Sequence, residues 1–319
     1  MNHYLSNLSM KFLVVGIFIL FMANEVSGQC CAAGNPVGGD GTQDGVKKHQ
    51  MRVFAAYRLS YSRDYFNGDS KEDVRHIEKS FYNYSSLSLT YGVNWRLTLH
   101  GEMGYFFNKV QDVNLSEGQE RISASGAGDL ALSGRYDLLK KKLVNENQLV
   151  VSLGGRLPVG AFSEEQDGVV IPISLQPSSG ALKINSGLFY SHKKKDFPVG
   201  WSSYLFIEWS NTIEKDFLIY KYGNLYLAEV SAFYSKNQKF VGVLSGKVEV
   251  REKDERENQQ EIDATGSWVF YLKPQLQVGL AKTLQLITFA EVPVYKYTNG
   301  SQLTNLFSFQ VGIRNAFSL

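Results

Sequence analysis

The chain has 319 residues, with 33 basic and 31 acidic side chains, so its net charge is only +2 at pH 7. This balance, without a basic run or a recognition motif, gives no support for nucleic acid as a partner. The two cysteines, Cys30 and Cys31, are adjacent, so the rest of the chain cannot hold a disulfide framework or a multi-cysteine metal site. Frequent aromatic residues (13%) and only 7 prolines suit a chain of paired strands.

The N-terminus has the pattern of a secretory signal peptide. Lys11 precedes an apolar run at 12–23, and Val26, Ser27 and Gly28 offer small residues for cleavage before Gln29. The run is too short to span a bilayer as a helix. We therefore predict a signal peptide at 1–28, a flexible glycine-rich segment at 29–45 that acts as a tether or a short lumen plug, and one domain at 46–319. No long apolar helix follows, so membrane embedding would use strands.

Alternation of apolar and polar residues with a period of two predicts the strands of this domain. They lie at about 48–61, 81–91, 97–108, 126–138, 148–157, 181–191, 201–209, 223–234, 240–251, 268–279, 284–297 and 305–319. In the first strand Phe54 breaks the alternation by falling on the polar face. Pro274 and Pro293 lie within predicted strands and remove ladder donors, so we expect a bulge or a local break at each.

The last strand indicates where these strands fold. Phe307, Phe309 and Ile313 share one face of residues 305–319, whereas Ser308 and Gln310 share the other. A soluble half-buried strand usually stops after about 5 or 6 residues. A longer strand with a bulky aromatic face is typical of one that crosses a bilayer with its apolar side in lipid. Its aromatic end resembles the C-terminal signal of outer-membrane barrels, which implies the outer-membrane assembly machinery as a partner.

Loop lengths distinguish a membrane barrel from a β-sandwich, which is the other fold that an aromatic-rich chain of strands could form. Connections after odd-numbered strands are mostly long and polar, as at 62–79 and 158–180, and connections after even-numbered strands are shorter, as at 92–94. Outer-membrane barrels alternate in this way. We predict an all-β fold: a single closed antiparallel transmembrane β-barrel of about 12 strands, with short periplasmic turns and longer extracellular loops.

The predicted inward faces collect charges of both signs. These residues either select what passes along a conduit or form an ion-pair ladder that braces the wall. A barrel of about 12 strands lies between those filled by side chains and the wide porins, which favours the bracing role over a wholly open channel. The predicted lumen-lining residues are Arg52, Arg58, Arg96, His100, Glu102, Asp129, Arg135, Asp137, Arg156, Lys247, Glu249, Lys273 and Arg314.

No catalytic constellation emerges from the sequence. Only His100 among the five histidines is predicted to face the lumen in mid-strand, two residues from Glu102, and such a histidine is usually a hydrogen-bonded wall residue. No Gly-x-Ser-x-Gly elbow, phosphate loop or His-Glu-x-x-His motif occurs. We therefore predict no enzyme activity, no catalytic or metal site and no cofactor.

One segment resembles a known family. Residues 126–136, Gly-Ala-Gly-Asp-Leu-Ala-Leu-Ser-Gly-Arg-Tyr, resemble a strand of outer-membrane proteins linked by name to the MetA pathway of phenol degradation. Residues 157–160 and 293–297 support the resemblance. This group is distantly similar to long-chain fatty-acid transporters, but here only about 17 residues precede the first strand, too few for their N-terminal hatch. The resemblance implies passive uptake of small, apolar molecules.

These patterns lead to one functional prediction and one alternative. We predict an outer-membrane transporter or channel for passive passage of small molecules, apolar ones included, because a conduit needs lumen shape and polarity but no reacting groups. Its partners would be outer-membrane lipid and small-molecule cargo. The alternative is a structural or adhesive surface protein with a plugged lumen.

Overall fold

A computed structural model describes residues 43–116, 118–139, 147–194, 197–215, 218–237 and 239–319. The predicted signal peptide and most of the glycine-rich segment lie outside these ranges. In the described part of the chain, no helix is long and apolar enough to cross a membrane. Nearly all regular structure of the described residues is β-strand, as predicted, apart from two short 3-10 turns at Ile173–Leu175 and Glu257–Gln259.

Eleven strands form one antiparallel wall. They are β1 (Gln50–Gly68), β3 (Ile77–Gly92), β4 (Leu97–Leu115), β6 (Leu130–Asp137), β7 (Asn147–Leu157), β10 (Lys183–Lys193), β11 (Val199–Ser210), β14 (Leu225–Asn237), β15 (Phe240–Arg251), β18 (Ser267–Gly279) and β19 (Leu284–Ser318). Two further strands, β2 (Ser70–Glu72) and β5 (Gly118–Ala127), pair with β1 and β4. The short strands β8 (Glu165–Gln166), β9 (Val169–Val170), β12 (Ile213–Lys215), β13 (Leu218–Lys221), β16 (Glu255–Arg256) and β17 (Gln260–Glu261) lie in connections.

The wall closes through β19, which pairs with β18 on one side and with β1 on the other. Residues 285–298 pair with β18 and residues 298–318 pair with β1, so the chain turns back near Gly300, whose φ is +70°. The Lys296 side chain meets Thr304 across this bend. The eleven strands therefore give twelve wall crossings, because β19 crosses twice, and an even number lets every neighbour be antiparallel. The predicted closed barrel of about twelve strands is confirmed.

Successive side chains along each strand point alternately to the outside and to the inside of the wall. In the second leg of β19, Phe309 and Ile313 are exposed on the outside, whereas Ser308 and Gln310 are buried on the inside. The irregular Phe54 of β1 points inward and is only 1% exposed. Gly312 on the neighbouring leg provides the room, because a Cβ there would lie 2.5 Å from the Phe54 ring.

Both internal prolines disturb the ladder as expected. At Pro293 the register between β18 and β19 shifts, because Phe270 faces Tyr295 whereas Tyr271 faces Pro293. At Pro274 the pairing with β19 stops at Leu272 and resumes at Gln275 without a shift. The missing N–H of proline explains both interruptions.

Two connections that the sequence predicted as loops are partly strand. β1 continues to Gly68 within the predicted loop 62–79, and β4 and β5 form a long hairpin through the predicted loop 109–125. Charged and polar residues lie on both faces there, so the alternation ends although the backbone pairing continues. The predicted strand 126–138 is likewise interrupted between Ala127 and Leu130, and β4 pairs with both β5 and β6.

The two ends of the barrel differ as the loop lengths predicted. The terminal end, where β1 begins and β19 finishes, carries short connections such as 93–96 and 280–283. The loop end carries the extended hairpins and the connections that contain β8, β9, β12, β13, β16 and β17.

Candidate functional site

The barrel encloses a cavity of about 140 Å³. Its lining mixes charged groups with serine and asparagine side chains and with aromatic rings. The residues that line the cavity come from several strands around the barrel and include Arg58, Arg156, Glu102, Phe206 and Phe289. The interior is therefore polar enough to hold water, and it also offers apolar surface to a solute.

One ion-pair network braces the wall from β14 to β1. Glu291 of β19 accepts hydrogen bonds from Arg58 Nη2 at 2.5 Å and from Lys247 Nζ at 2.9 Å. Beside it, Lys273 Nζ lies 2.7 Å from Glu229 Oε1. These side chains are mostly buried, so their charges are compensated by one another more than by solvent.

A second network lies on β7, β10 and β11. Glu208 Oε2 is 3.0 Å from Arg156 Nε, and Glu208 Oε1 is 3.8 Å from Lys183 Nζ. The Lys183 ammonium also lies 4.3 Å from the centre of the Tyr222 ring, at a distance that allows a cation–π contact. This network ties the wall to the connections at the loop end.

Most residues predicted to line the lumen have buried or partly buried side chains on the inward face. These are Arg52, Arg58, His100, Glu102, Asp129, Arg135, Asp137, Arg156, Lys247, Glu249, Lys273 and Arg314. Arg96 instead lies exposed in the turn between β3 and β4, because β4 begins only at Leu97. His100 Nδ1 lies 2.9 Å from Thr90 Oγ1, and His100 Nε2 lies 3.9 Å from Glu102 Oε2, so His100 is bonded into the wall.

Sequence reasoning missed the acidic centres of both networks. Glu208 and Glu229 lie at inward positions of strands that were located correctly, so strict alternation could have found them. Glu291 was harder to find, because its neighbours on the inward face, Ile287 and Phe289, are apolar. Shortly after Glu291, the bulge beside Pro293 also reverses which residues of β19 face inward.

The loop-end mouth is covered by residues 158–182. Asp129, in the break between β5 and β6, accepts hydrogen bonds from Ser178 Oγ at 2.6 Å and from the Ser179 N–H at 3.0 Å. Lys109 Nζ donates to the Gln176 carbonyl at 2.9 Å. Leu175, within this connection, is fully buried. We call these contacts the loop latch.

A small sheet adds a second layer over the same mouth. Strands β12, β13, β16 and β17 pair in that order. Ile213 of β12 and Tyr220 of β13 pack with Ala181 and Ile262 in one buried cluster. The Tyr222 hydroxyl donates to the Ser179 carbonyl at 3.1 Å and so joins this layer to the loop latch. Burial, and then the nearby charge of Asp254, raise the pKa of Tyr222 well above its usual range, so this hydroxyl keeps its proton.

At the terminal end, residues 43–49 enter the barrel mouth. Arg52 donates to Asp44 through Nη1 at 2.9 Å and through Nη2 at 3.2 Å. The Val46 N–H donates to Thr98 Oγ1 at 3.2 Å, and the Val46 side chain is buried. A Cβ at Gly92 would lie 2.0 Å from the Lys47 carbonyl oxygen, so the close approach of this segment requires glycine there. We call residues 43–49 the mouth segment.

The docking of the mouth segment is expected to depend on pH only under strongly acidic conditions. Burial alone would raise the pKa of Asp44, but attraction to Arg52 and its hydrogen bonds outweigh burial and lower the pKa from 3.8 to about 2. A lowered pKa in the docked state stabilises docking above pH 3.8, and this contribution disappears as the pH falls through 2. Hydrogen exchange of the Val46 amide should show constant protection from pH 7 to about 4 and decreasing protection below it. Equal protection at pH 2 and pH 7 would contradict this linkage.

The described residues contain no group of three His, Cys, Asp or Glu side chains arranged to hold a metal ion. What the interior does offer is a polar and aromatic cavity, two ion-pair networks in the wall, and a docked piece of chain at each mouth. These parts can bind, admit or exclude a solute.

Comparison with solved structures relates this fold to outer-membrane β-barrels. The COG4313 outer membrane channel from Pseudomonas putida F1 superposes with a TM-score of 0.69 at 14% identity, over 89% of this chain and 100% of that chain. The KdgM porin in complex with disordered oligogalacturonate (TM-score 0.45, 7% identity, 83% and 99% covered) and the AIDA-I transport unit from Escherichia coli (0.48, 12%, 85% and 91%) are less similar. No protein-family model and no curated sequence matches the chain. The chain thus has the fold of a closed antiparallel β-barrel, similar to that of the Pseudomonas putida channel.

Proposed function

We propose that this protein is an outer-membrane channel for the passive passage of small molecules, with its terminal end in the periplasm and its loop end outside the cell. The observation that carries the proposal is the cavity of about 140 Å³ inside a closed wall whose outer face is apolar. An apolar exterior suits lipid, whereas a lumen lined by ionic and hydroxyl groups suits an aqueous path. The channel-like barrel from Pseudomonas putida supports the fold on which this proposal rests.

The cavity lining also supports a cargo with an apolar part. Phe189, Phe206, Leu227 and Phe289 contribute rings and a branched chain beside the charged groups. A small molecule with both polar and apolar portions could contact both kinds of surface. Passage of purely apolar molecules, as the family resemblance implies, remains part of the proposal.

Membership of the MetA-pathway group is also a proposal. The resembling segment 126–136 contains the break in the wall at Asp129, to which the loop latch attaches. The supporting segment 157–160 contains Gly160, where a Cβ would lie 1.9 Å from the Ala127 carbonyl oxygen. Both segments therefore contribute to the packing of the connection 158–182 against the end of β5.

The plugged lumen is the second candidate, because both mouths are occupied. The loop latch and the small sheet cover the loop end, and the mouth segment enters the terminal end. A protein of this kind would act through its external loops, as a structural or adhesive component of the surface. Under the channel proposal, the same elements are gates that move.

Conductance of an Asp129→Ala variant in planar bilayers separates the two candidates. The substitution removes the acceptor of two latch hydrogen bonds, and hydrogen bonds to a charged group contribute about 1.5–3 kcal/mol each. We expect the open population to rise by at least about tenfold, observed as more frequent or larger current steps. The wild-type barrel should conduct rarely.

Asp73→Ala is the matched control, because Asp73 is an exposed carboxylate at the same end of the barrel that takes no part in the latch. It should conduct like the wild type. If neither the wild type nor Asp129→Ala passes ions, and if neither swells liposomes in sugar solution, the plugged surface protein is the better description.

Two partners belong to the same proposal. Outer-membrane lipid would contact the apolar outer face, and the assembly machinery would bind the last strand, which ends at Ser318. Localisation in the bacterial outer membrane would require the predicted signal peptide at 1–28.

A further inference from the structure

The terminal end of the barrel carries a set of exposed cations. In the described connections of this end the only acidic side chain is Asp44, and Arg52 holds it. Several exposed cations there form no ion pair with any described residue. They are spread around the wall, before β1 and between β3 and β4, β10 and β11, and β18 and β19. We call them the basic rim: Lys47, Lys48, Arg96, Lys193, Lys194 and Lys282.

Exposed cations at the loop end mostly have carboxylate partners. Lys71 Nζ lies 2.8 Å from Asp64 Oδ1, and Arg121 Nε lies 2.7 Å from Asp112 Oδ1. Pairing of this kind cancels most of the field that a cation would present to an outside anion. Uncompensated positive charge is therefore concentrated at the terminal end, although the net charge of the whole chain is only +2.

Two tryptophans mark the edges of the apolar outer face on β11. Trp201 and Trp209 are 45% and 43% exposed, respectively. They are eight residues apart and so share one face of the strand. The separation is about 26 Å along the strand, of the same order as the apolar band of about 25 Å on outer-membrane barrels. Because indole rings prefer the level of the lipid headgroups, we expect Trp201 at the terminal interface and Trp209 at the loop-end interface.

The basic rim lies just beyond the terminal tryptophans. Trp201 pairs with His192 of the neighbouring strand, so Lys193 is the next residue past this ring. At another connection, Arg96 follows directly after Trp95, which is also exposed. A long basic side chain placed next to an interfacial ring can extend its charged end to the depth of the lipid phosphate groups.

We propose that the basic rim binds the phosphate groups of anionic phospholipids in the leaflet around the terminal end. A phosphate group offers several acceptor oxygens to ammonium and guanidinium groups, and basic residues near an anionic membrane surface are attracted to it. A soluble polyanion would use the same charges without needing apolar anchors, so the adjacent tryptophans favour a lipid. This binding rests on the proposed function in one respect, because the barrel must lie in a membrane, but it does not require transport.

Quenching of single tryptophans by brominated phospholipids measures lipid preference at each end separately. Trp95→Phe and Trp268→Phe are made in both variants; Trp209→Phe then leaves Trp201 alone, and Trp201→Phe leaves Trp209 alone. Both proteins are refolded into phosphatidylcholine vesicles that contain either brominated phosphatidylglycerol or, as the reference, brominated phosphatidylcholine. Bromine atoms on the acyl chains quench an indole ring only at close range.

At Trp201 we expect phosphatidylglycerol to bind about fivefold more strongly than phosphatidylcholine at low salt. At Trp209, where most cations are paired, the ratio of the two binding constants should be about one. Sodium chloride at about 1 M should abolish the preference at Trp201, because it shortens the Debye length to about 3 Å.

The double variant Lys193→Gln and Lys194→Gln should lower the preference at Trp201 to less than about twofold. Lys215→Gln with Arg256→Gln is the matched control, because it removes the same charge from exposed residues of the small sheet at the opposite end. The preference at Trp201 should not change in this control.

Equal binding of the two lipids at Trp201, or a preference that survives the loss of Lys193 and Lys194, would overturn the proposed role of the basic rim. An equal preference at Trp201 and Trp209 would overturn it as well. If neither brominated lipid quenches either tryptophan, the barrel does not lie in the bilayer, and the proposed function fails together with the lipid contact. Failure of the basic rim alone is therefore distinguishable from failure of the membrane placement.

Discussion

Replacing Glu291 by alanine is expected to lower the free energy of unfolding by about 3–5 kcal/mol. The substitution leaves Arg58 and Lys247 without the carboxylate that each of them contacts within 3 Å. Both cations are buried in the wall, so solvent cannot replace the lost partner. The penalty comes mainly from the Arg58 charge, because Lys247 Nζ still lies 3.7 Å from Glu249 Oε2. Urea titration of the barrel refolded into lipid vesicles, followed by tryptophan fluorescence, measures the change.

Glu257→Ala provides the control, because Glu257 is exposed in the connection after β16 and should change stability by no more than about 0.5 kcal/mol. A Glu291→Gln variant should fall between the two, since the amide oxygen can still accept one hydrogen bond. If Glu291→Ala unfolds at the same urea concentration as the wild type, the network does not brace the wall.

Replacing Leu205 by arginine is expected to destabilise the barrel in lipid by about 2–4 kcal/mol. Leu205 lies in the middle of β11 on the outer face and is 53% exposed. On a protein surrounded by water, arginine at such an exposed position would be almost neutral. In a bilayer the guanidinium would enter hydrocarbon, and the large penalty arises only there.

Ser202→Arg makes the same kind of change on the other side of the same strand. Ser202 lines the cavity, where an added guanidinium can remain hydrated, so we expect a smaller loss of stability and an altered conductance instead. Unfolding of both variants in vesicles should therefore separate the two faces. Equal stability of Leu205→Arg and the wild type would place water, not lipid, around the barrel.

Much of the fold could be predicted because strand alternation is written locally in the chain. The apolar and polar faces of 305–319, the positions of the other strands and the alternation of long and short connections all led to a closed barrel. Even the two prolines predicted where the ladder would be disturbed. Predictions failed where polarity no longer follows the pleat, as in the hairpin of β4 and β5 above the wall.

The functional site was only partly predictable, because partners lie on different strands. The sequence identified Arg58 and Lys247 as inward cations, but not the Glu291 that joins them. It offered a tether or a plug for 29–45 without indicating that Asp44 meets Arg52. Contacts of this kind depend on register and closure, which no local pattern contains.

The sequence by itself determined which residues form strands and which face of each strand is apolar, since both depend on a period of two along the chain. Tertiary structure alone decided which charges meet, how the connection 158–182 folds into one mouth, and that residues 43–49 enter the other. The physical reason is that closing the wall fixes the register of every strand at once. Residues more than 200 positions apart, such as Arg58 and Glu291, then become neighbours.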